Sequence, residues 1–200
     1  MINFDKEDFW LVSDLHLDHP LVSSKRGFQD TYAHDSAVLG GLYELPESSL
    51  LVCLGDISVR KDDYALARLL ELKHSKNLTM ILTPGNHDAC HPKFGLKGAL
   101  EWMPKYQAVF DVIVLEFVVK YKGREVLFTH MPRLDDPFRK PKLTRWIGRD
   151  GFDCIVHGHT HSSQLLDEGH INLSLEATEF APVHASRLWK LVEEVSPQPQ

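Results

Sequence analysis

The stretch "CIVHGHTH", residues 154–161, places histidines at every second position directly after a short apolar run. Side chains two residues apart in an extended segment point to the same side, so alternate imidazoles can reach one ligand. The same spacing joins Asp14 and His16 in "SDLHL". A carboxylate oxygen and an imidazole nitrogen on one side of the chain can bind a single cation. Together with the twelve histidines among 200 residues, these spacings direct attention to a metal site.

Five short apolar segments each run into a residue that can bind a metal ion. "FWLVS", "SLLVCLG", "LTMILTP", "EVLFT" and "CIVHG" are followed, in turn, by Asp14, Asp56, Asn86 with His87, His130, and His159. Because the carboxyl ends of parallel strands gather along one edge of a sheet, where ligands usually bind, we expect one shared pocket. Carboxylate, imidazole and amide donors suit Mn, Fe, Zn or Co rather than thiolate-selective metals. Asp56 follows a glycine that permits a sharp turn, and its two oxygens can bridge two cations.

The elements that position these residues follow from hydrophobic patterning. Helical periodicity over 34–45 and 62–74, between the early strands, predicts parallel pairing with helical crossovers. The later half is strand-rich, and "YKGRE" (121–125) predicts a hairpin turn. The predicted strands are 9–13, 49–55, 78–84, 109–121, 125–131, 154–158 and 170–175. Without an internal repeat or linker, the sequence predicts a single domain over 1–195, with a disordered tail, "SPQPQ", at 196–200.

Composition limits the classes of partner and compartment. The formal charge of −6 argues against a general nucleic-acid coat but does not exclude a small anionic substrate. Cys53 and Cys154 lie in apolar runs and are expected to be free buried thiols, which favours a reducing, cytoplasmic location. The acidic start of the chain lacks the pattern of a signal peptide, and no apolar stretch approaches the roughly 20 residues that span a bilayer. We therefore expect no membrane partner and no stable nucleic-acid binding, and the oligomeric state stays open.

Taken in order, the motifs resemble those of the calcineurin-like metallophosphoesterases. They read Asp-x-His, Gly-Asp, Gly-Asn-His-Asp, a lone His and Gly-His-x-His, and they extend over residues 13–161. The resemblance implies an α/β fold, a four-layer αββα sandwich. Many members carry a further acidic residue or Asn soon after Gly-Asp, whereas this chain reads "GDISVR". That departure leaves the ligand set intact and the substrate subfamily open.

The resemblance also implies a role for each motif residue. One metal ion would be held by Asp14, His16, Asp56 and His161, and the other by Asp56, Asn86, His130 and His159. The cofactors would be two divalent or trivalent transition-metal ions, Mn, Fe or Zn. His87 matches the catalytic histidine that contacts the phosphate or protonates the leaving oxygen, and Asp88 would orient it or else act as a cap.

Other conspicuous residues match no motif. His157 shares the alternation of 154–161 but precedes the glycine, so a packed or supporting position is expected. We expect His34, His74, His91, His170 and His184 at the surface, and Arg26 either in a solvated loop or at the substrate. The basic stretch 133–149 is expected to be a solvated loop and short helix, with a flap that reaches a second phosphate as the alternative.

The expected function is that of a metal-dependent phosphoester hydrolase in which a metal-bridging hydroxide attacks phosphorus. A small phosphodiester of the nucleotide type is favoured as substrate because the chain is minimal and has no large substrate domain. A phosphomonoesterase is the close alternative. A catalytically inactive scaffold on the same fold would not need His87.

Overall fold

The computed structural model describes residue 4, residues 8–132 and residues 151–195. The sequence-based expectations for the basic stretch 133–149 and for the tail 196–200 lie outside the described residues. Among the described helices, none combines the length and the apolar content that crossing a membrane requires.

The first sheet carries the alternating strands and helices of the amino-terminal half. Its order is β10-β1-β2-β3-β4, in which β1 to β4 are parallel and β10 runs antiparallel to β1. The strands are β1 (Phe9–Val12), β2 (Leu50–Cys53), β3 (Thr79–Leu82), β4 (Val112–Ile113) and β10 (Val183–His184). The helices of this half are α1 (Pro20–Lys25), α2 (Thr31–Tyr43), α3 (Asp62–Lys76) and α4 (Gly95–Val109). The predicted parallel crossovers are thereby confirmed.

The second sheet is mixed and holds the strands of the carboxyl-terminal half. Its order is β5-β6-β7-β9-β8, with β6, β7 and β9 parallel. The strands are β5 (Glu116–Tyr121), β6 (Arg124–Thr129), β7 (Cys154–His157), β8 (Leu166–Asp167) and β9 (His170–Asn172). The predicted hairpin turn joins β5 to β6, where Lys122 and Gly123 have φ of 47° and 81°. Positive φ at both central residues matches the twist of a two-residue hairpin.

The apolar residues divide into two cores because strand side chains alternate between faces. On β1, Val12 belongs to the core under α2, α3 and α4, whereas Phe9 and Leu11 face the second sheet. Val126 and Phe128 of β6 meet them in the core between the sheets, where α5 (Ala185–Val195) also packs. Each fully buried apolar side chain stabilises the fold by about 1.5–3 kcal/mol. Two facing sheets with flanking helices confirm the predicted α/β fold of the calcineurin-like type.

The single strand predicted over 109–121 is wrong. The segment comprises the last residue of α4, then β4, then β5. Asp111 makes the turn between helix and sheet: its side chain accepts hydrogen bonds from Met80 N and Lys73 Nζ, both at 2.8 Å. Helix α4 was not predicted, because Gly95, Gly98 and Pro104 all lower helix propensity. Helix α5 also went unpredicted.

Candidate metal centre

The ends of five strands meet at one edge of the two sheets. Asp14 follows β1, Asp56 follows β2 and Asn86 lies beyond β3 in the first sheet, while His130 and His159 follow β6 and β7 in the second. Their donor atoms form two clusters that could each hold a metal ion. We call Asp14, His16 and His161 the first ligand group, and Asp56, His130 and His159 the second ligand group. The structure thus brings the side chains that follow these strands together at one edge.

In the first ligand group, three donor atoms face a common point. His16 Nε2 lies 3.0 Å from His161 Nε2, and Asp14 Oδ1 lies 3.7 Å from the former and 3.6 Å from the latter. Metal bonds of about 2.0–2.2 Å place neighbouring donors roughly 3–3.6 Å apart, so this spacing fits one transition-metal ion. Asp14 Oδ1 is also buried and has no hydrogen-bond partner among the described residues. A buried carboxylate oxygen left unsatisfied is costly, and a cation at this point would satisfy it.

The other carboxylate oxygen of Asp14 is occupied by hydrogen bonds from the protein. Asp14 Oδ2 accepts hydrogen bonds from Ser13 Oγ at 2.7 Å, His159 N at 2.9 Å and Ser174 Oγ at 3.2 Å. Although burial raises the pKa of Asp14, the hydrogen bond with His16 and the nearby histidine charges hold it well below its ordinary value. The carboxylate is thus ionised and rotated so that Oδ1 alone points to the candidate ion.

The second ligand group is more deeply buried. His130 Nε2 lies 3.3 Å from Asp56 Oδ2 and 3.3 Å from Asn86 Oδ1, so the amide oxygen of Asn86 joins this group. His130 Nδ1 donates to Leu54 O at 2.7 Å, which leaves Nε2 free to act as a donor atom to a metal. Burial lowers the pKa of His130, but Asp56 outweighs it and raises that pKa to about 9; burial lowers the pKa of His159 to about 4. His159 is therefore neutral, the state in which imidazole binds metals.

Asp56 lies between the two groups. Its Oδ2 is 3.3 Å from His130 Nε2 and 3.9 Å from His16 Nε2, while Oδ1 accepts from His87 N at 2.7 Å. Burial raises the pKa of Asp56, but the charge and hydrogen bond of His130, together with the charge of His16, hold it below its ordinary value. Its Oδ2 thus lies near imidazole nitrogens of both ligand groups.

Most of the ligand residues have an unusual backbone. Asp14, His16, Asp56, His159 and His161 have φ of 57°, 47°, 54°, 71° and 51°. Positive φ is uncommon outside glycine and costs of the order of 1–3 kcal/mol where it is strained, and such residues cluster at functional sites. The loops that follow β1, β2 and β7 thus carry ligand residues in the left-handed conformation.

Two motif glycines are required by close approach of neighbouring groups. A Cβ on Gly85 would lie 2.1 Å from Asp56 Oδ1, and one on Gly158 would lie 1.9 Å from Ser13 Oγ and 2.3 Å from Asp14 Oδ2. Gly55 is required by conformation as well, with φ of 91°. Gly158 is set by the close packing of Ser13 and Asp14 against its backbone.

His87 and Asp88 occupy different environments. His87 is exposed, and its ring centroid lies 5.9 Å from that of His16, at the open side of the ligand groups. Burial lowers the pKa of His87 despite the opposing charge of Asp56. Asp88 is 0% exposed and holds the backbone: Oδ2 accepts from Asp56 N at 2.9 Å and Gly85 N at 2.7 Å, and Oδ1 from Ile57 N at 2.9 Å. Its contacts thus fix the loops that carry Asp56 and Asn86, and an orienting role towards His87 stays a prediction.

Two residues of the site were not recognised from the sequence. Glu176 Oε1 accepts from His161 Nδ1 at 2.7 Å, and Arg26 Nε donates to the same oxygen at 2.9 Å. The side chain of Arg26 is 1% exposed, so both earlier expectations for it, a solvated loop and a substrate contact, are wrong. Although burial raises it, the hydrogen bonds from His161 and Arg26 lower the pKa of Glu176 to about 2.

The structure confirms the expected location of some of the remaining histidines and contradicts that of others. His157 is 2% exposed and donates from Nδ1 to Gly158 O, which confirms a packed position. His34 and His91 are 0% and 2% exposed, so their predicted surface location is wrong. Helix periodicity could not reveal this, because it assigns histidine no preferred face. His74 is exposed.

Comparison with known proteins assigns the fold and the motifs to one family. The family described as "Calcineurin-like phosphoesterase" matches residues 8–163. The chain belongs to the calcineurin-like phosphoesterase family. Its membership supports a metal-dependent phosphoesterase, and the Asp and His groups described above could hold the metals.

Two similar proteins are encoded by bacteriophages. The gene 66 protein of Mycobacterium phage L5 is 27% identical over 169 residues, covering 78% of this chain and 79% of that protein. The gene 66 protein of Mycobacterium phage D29 is 30% identical over 182 residues, covering 84% and 87%. Among solved structures, a protein of unknown function from Aquifex aeolicus has a TM-score of 0.65 at 20% identity, covering 93% of this chain and 100% of that one. That likeness shows the fold.

Proposed function

We propose that this protein is a dinuclear-metal hydrolase of small phosphodiesters, nucleotide-derived esters among them. The observation that carries the proposal is the convergence of two ligand groups on either side of Asp56. Asp14, His16, Asp56 and His161 would hold one ion, and Asp56, Asn86, His130 and His159 the other. The unpartnered Asp14 Oδ1 and the free Nε2 atoms supply donors where each ion would lie.

The chemistry is the displacement of an alcohol from phosphorus by water. When bound, two ions of the Mn, Fe or Zn kind neutralise phosphate oxygens and lower the pKa of a water molecule for attack. A P–O bond to the incoming oxygen forms as the ester P–O bond breaks, and the departing oxygen must gain a proton. His87 is exposed beside His16 and can donate that proton or a hydrogen bond. The bond from His87 N to Asp56 Oδ1 ties its backbone to the ligands.

Charge favours a diester over a monoester. A phosphomonoester carries between one and two negative charges near neutral pH, whereas a diester carries one. Arg26, the arginine that contacts the ligand loop, is buried and fully engaged with Glu176 and backbone oxygens. Arg26 is therefore not available to a second negative charge on the phosphate, which favours the singly charged diester.

The proposal is tested by comparing an aryl phosphodiester with the corresponding monoester in the presence of Mn, Fe, Zn, Ni or Co. We expect faster hydrolysis of the diester, and abolition of turnover by EDTA. Faster hydrolysis of the monoester would identify a phosphomonoesterase instead. No turnover with any metal would identify a scaffold. A screen of cyclic nucleotides and nucleotide esters then narrows the substrate.

The role of His87 is tested separately. His87→Ala should lower turnover by roughly 10²–10⁴-fold while metal binding persists, because its side chain would act on the leaving oxygen. His74→Ala, which removes an exposed histidine of α3, is the matched control and should change nothing. Unchanged turnover in His87→Ala would remove His87 from the mechanism.

A reducing, cytoplasmic location is also part of the proposal. It is supported by Cys53, Cys90 and Cys154, which are buried and form no disulfide among the described residues.

A further inference from the structure

A buried ion pair lies directly behind the first ligand group. Arg26, which caps the carboxyl end of α1, meets Glu176 in the loop after β9. Nε donates to Oε1 at 2.9 Å and Nη2 donates to Oε2 at 3.1 Å. This two-pronged contact fixes the plane and position of the carboxylate. The pair joins residues 150 positions apart in the chain.

Glu176 in turn orients one candidate metal ligand, His161. Its Oε1 accepts from His161 Nδ1 at 2.7 Å, so the opposite ring nitrogen faces Asp14 and His16. A carboxylate behind a histidine selects the tautomer, aims the ring and increases its basicity towards a metal. The contact matters here because the His161 side chain is 34% exposed and has fewer neighbours to hold it than a buried ligand has.

Arg26 also holds the turn that carries the other two ligands. Nη2 donates to Asp14 O at 2.8 Å and Nη1 donates to Leu15 O at 3.3 Å. These carbonyls belong to the turn in which Asp14 and His16 adopt positive φ. One guanidinium group therefore restrains all three members of the first ligand group, two through the backbone and His161 through Glu176.

The guanidinium is itself anchored from α2. Arg26 Nη1 donates to His34 Nε2 at 2.9 Å, and His34 Nδ1 donates to Asp35 Oδ1 at 2.8 Å. Asp35 in turn accepts from Asp18 N, at 3.2 Å and 3.0 Å to its two oxygens. These hydrogen bonds explain why His34 is buried, and they hold the guanidinium group of Arg26 in place.

The second ligand group has no counterpart to this ion pair among the described residues. His130 is oriented by a neutral carbonyl, Leu54 O, and Asp56 by backbone contacts. Removing charge at Glu176 or Arg26 therefore acts on one group and not on the other.

We propose that Arg26 and Glu176 are positioning residues that set the metal affinity of the first ligand group and leave that of the second unchanged. The inference rests on the proposed two-ion function.

The test is a calorimetric titration with Mn²⁺ or Zn²⁺ of the metal-free protein and of two variants, Glu176→Gln and Arg26→Lys. Glu176→Gln keeps the shape of the side chain but loses its charge and the two-pronged contact. We expect one of two binding events to weaken by about 10–100-fold, with the other unchanged. Arg26→Lys keeps the charge but cannot serve two carboxylate oxygens and two carbonyls at once, so it should weaken the same event. Glu168→Gln, the same change at an exposed position, is the control and should match the wild type.

Turnover of the aryl diester provides a second readout. Weakened binding predicts that excess metal restores the turnover of Glu176→Gln, whereas a general structural defect would not respond to metal. A cycle with Arg26→Gln and the double variant should show non-additive losses, because both residues act through one contact. Circular dichroism checks folding, and if Glu176→Gln does not fold, Arg26→Lys decides the question.

The outcomes separate this inference from the proposed function. Two ions bound by the wild type and bound equally tightly by folded Glu176→Gln and Arg26→Lys would overturn the inference alone. Equal weakening of both ions would also overturn it. A wild-type protein that binds no metal would instead overturn the proposed function.

Discussion

The two ligand groups are assembled from similar parts but are held in different ways. Each combines a carboxylate from the first sheet with histidine from the second. His161 of the first group is partly exposed and is oriented by a charged carboxylate, whereas His130 of the second is 1% exposed and is oriented by a backbone carbonyl. The first group thus depends on side chains that a single substitution can change, and the second on the fold itself.

The difference bears on metal affinity. A carboxylate behind a ligand increases basicity and so tunes the strength of binding, while a carbonyl mainly fixes orientation. In this site one ligand group is supported by a carboxylate and the other by a backbone carbonyl. Such a site can bind its two ions with different affinities although the ligand types are the same. The predictions below are ordered from the largest expected effect to the smallest.

Asp56→Asn should affect both groups, because this side chain alone lies between them. Loss of a bridging carboxylate removes several kcal/mol of electrostatic stabilisation, which corresponds to roughly 1,000-fold or more in turnover. Metal content measured by mass spectrometry should fall at both positions. Asp63→Asn, at a side chain 71% exposed, is the control. Retention of one fully bound ion would contradict the bridging role.

Asp88→Asn should weaken the second group through its backbone. The two oxygens of Asp88 accept from three N–H groups, and asparagine has one acceptor oxygen. At least one buried N–H would lose its partner, at a cost of about 1–3 kcal/mol. Urea denaturation of the metal-free protein measures this loss. Wild-type stability in the variant would show that these contacts do not hold the loops.

Gly158→Ala should act on the first group by steric overlap. The added methyl group would lie 2.3 Å from Asp14 Oδ2, so Asp14 must move, and overpacking of this kind costs about 1–3 kcal/mol. Metal titration should show weaker binding to the first group. Gly40→Ala is the matched control, since nothing lies within 4 Å of its added carbon in α2, and it should be neutral or stabilising by about 0.5–1 kcal/mol. Normal binding by Gly158→Ala would argue against the close approach.

The smallest expected effect separates the groups most clearly. In metal-free protein, His161→Ala should change the free energy of unfolding by no more than about 0.5 kcal/mol, because the side chain is partly exposed. His130→Ala should cost about 1–3 kcal/mol, since it removes a buried ring and one of the two groups, His130 Nδ1 and Ser13 Oγ, that donate to Leu54 O. Denaturation in EDTA compares the two directly. Equal losses of unfolding free energy in the two variants would contradict the distinction between a first group that depends on side chains and a second group that depends on the fold.

The sequence was most informative where function restricts the residue type. The candidate ligands could be predicted because carboxylates, imidazoles and an amide must follow strands that end at one edge, and the structure brings those residues together. The parallel order of β1, β2 and β3 followed from the alternation of strand and helix periods.

The features that could not be predicted from the sequence depend on contacts between segments that lie far apart in the chain. Arg26 and Glu176 lie in loops with no periodic pattern, and only the folded chain brings them together. The burial of His34 follows from that same arginine, so it was equally hidden. The backbone contacts of Asp88 could not be predicted for a similar reason: its partners Asp56 and Ile57 follow another strand. Helix α4 was missed because its glycines and proline resemble a loop.

The central claim is that two metal ions share Asp56. Anomalous diffraction from crystals of the manganese-loaded protein tests it most directly. We predict two peaks per chain, each within about 2–2.3 Å of its donor atoms. The donor atoms of the first peak would belong to Asp14, His16, Asp56 and His161. Those of the second would belong to Asp56, Asn86, His130 and His159. A single peak, or two peaks that do not share Asp56, would contradict the claim.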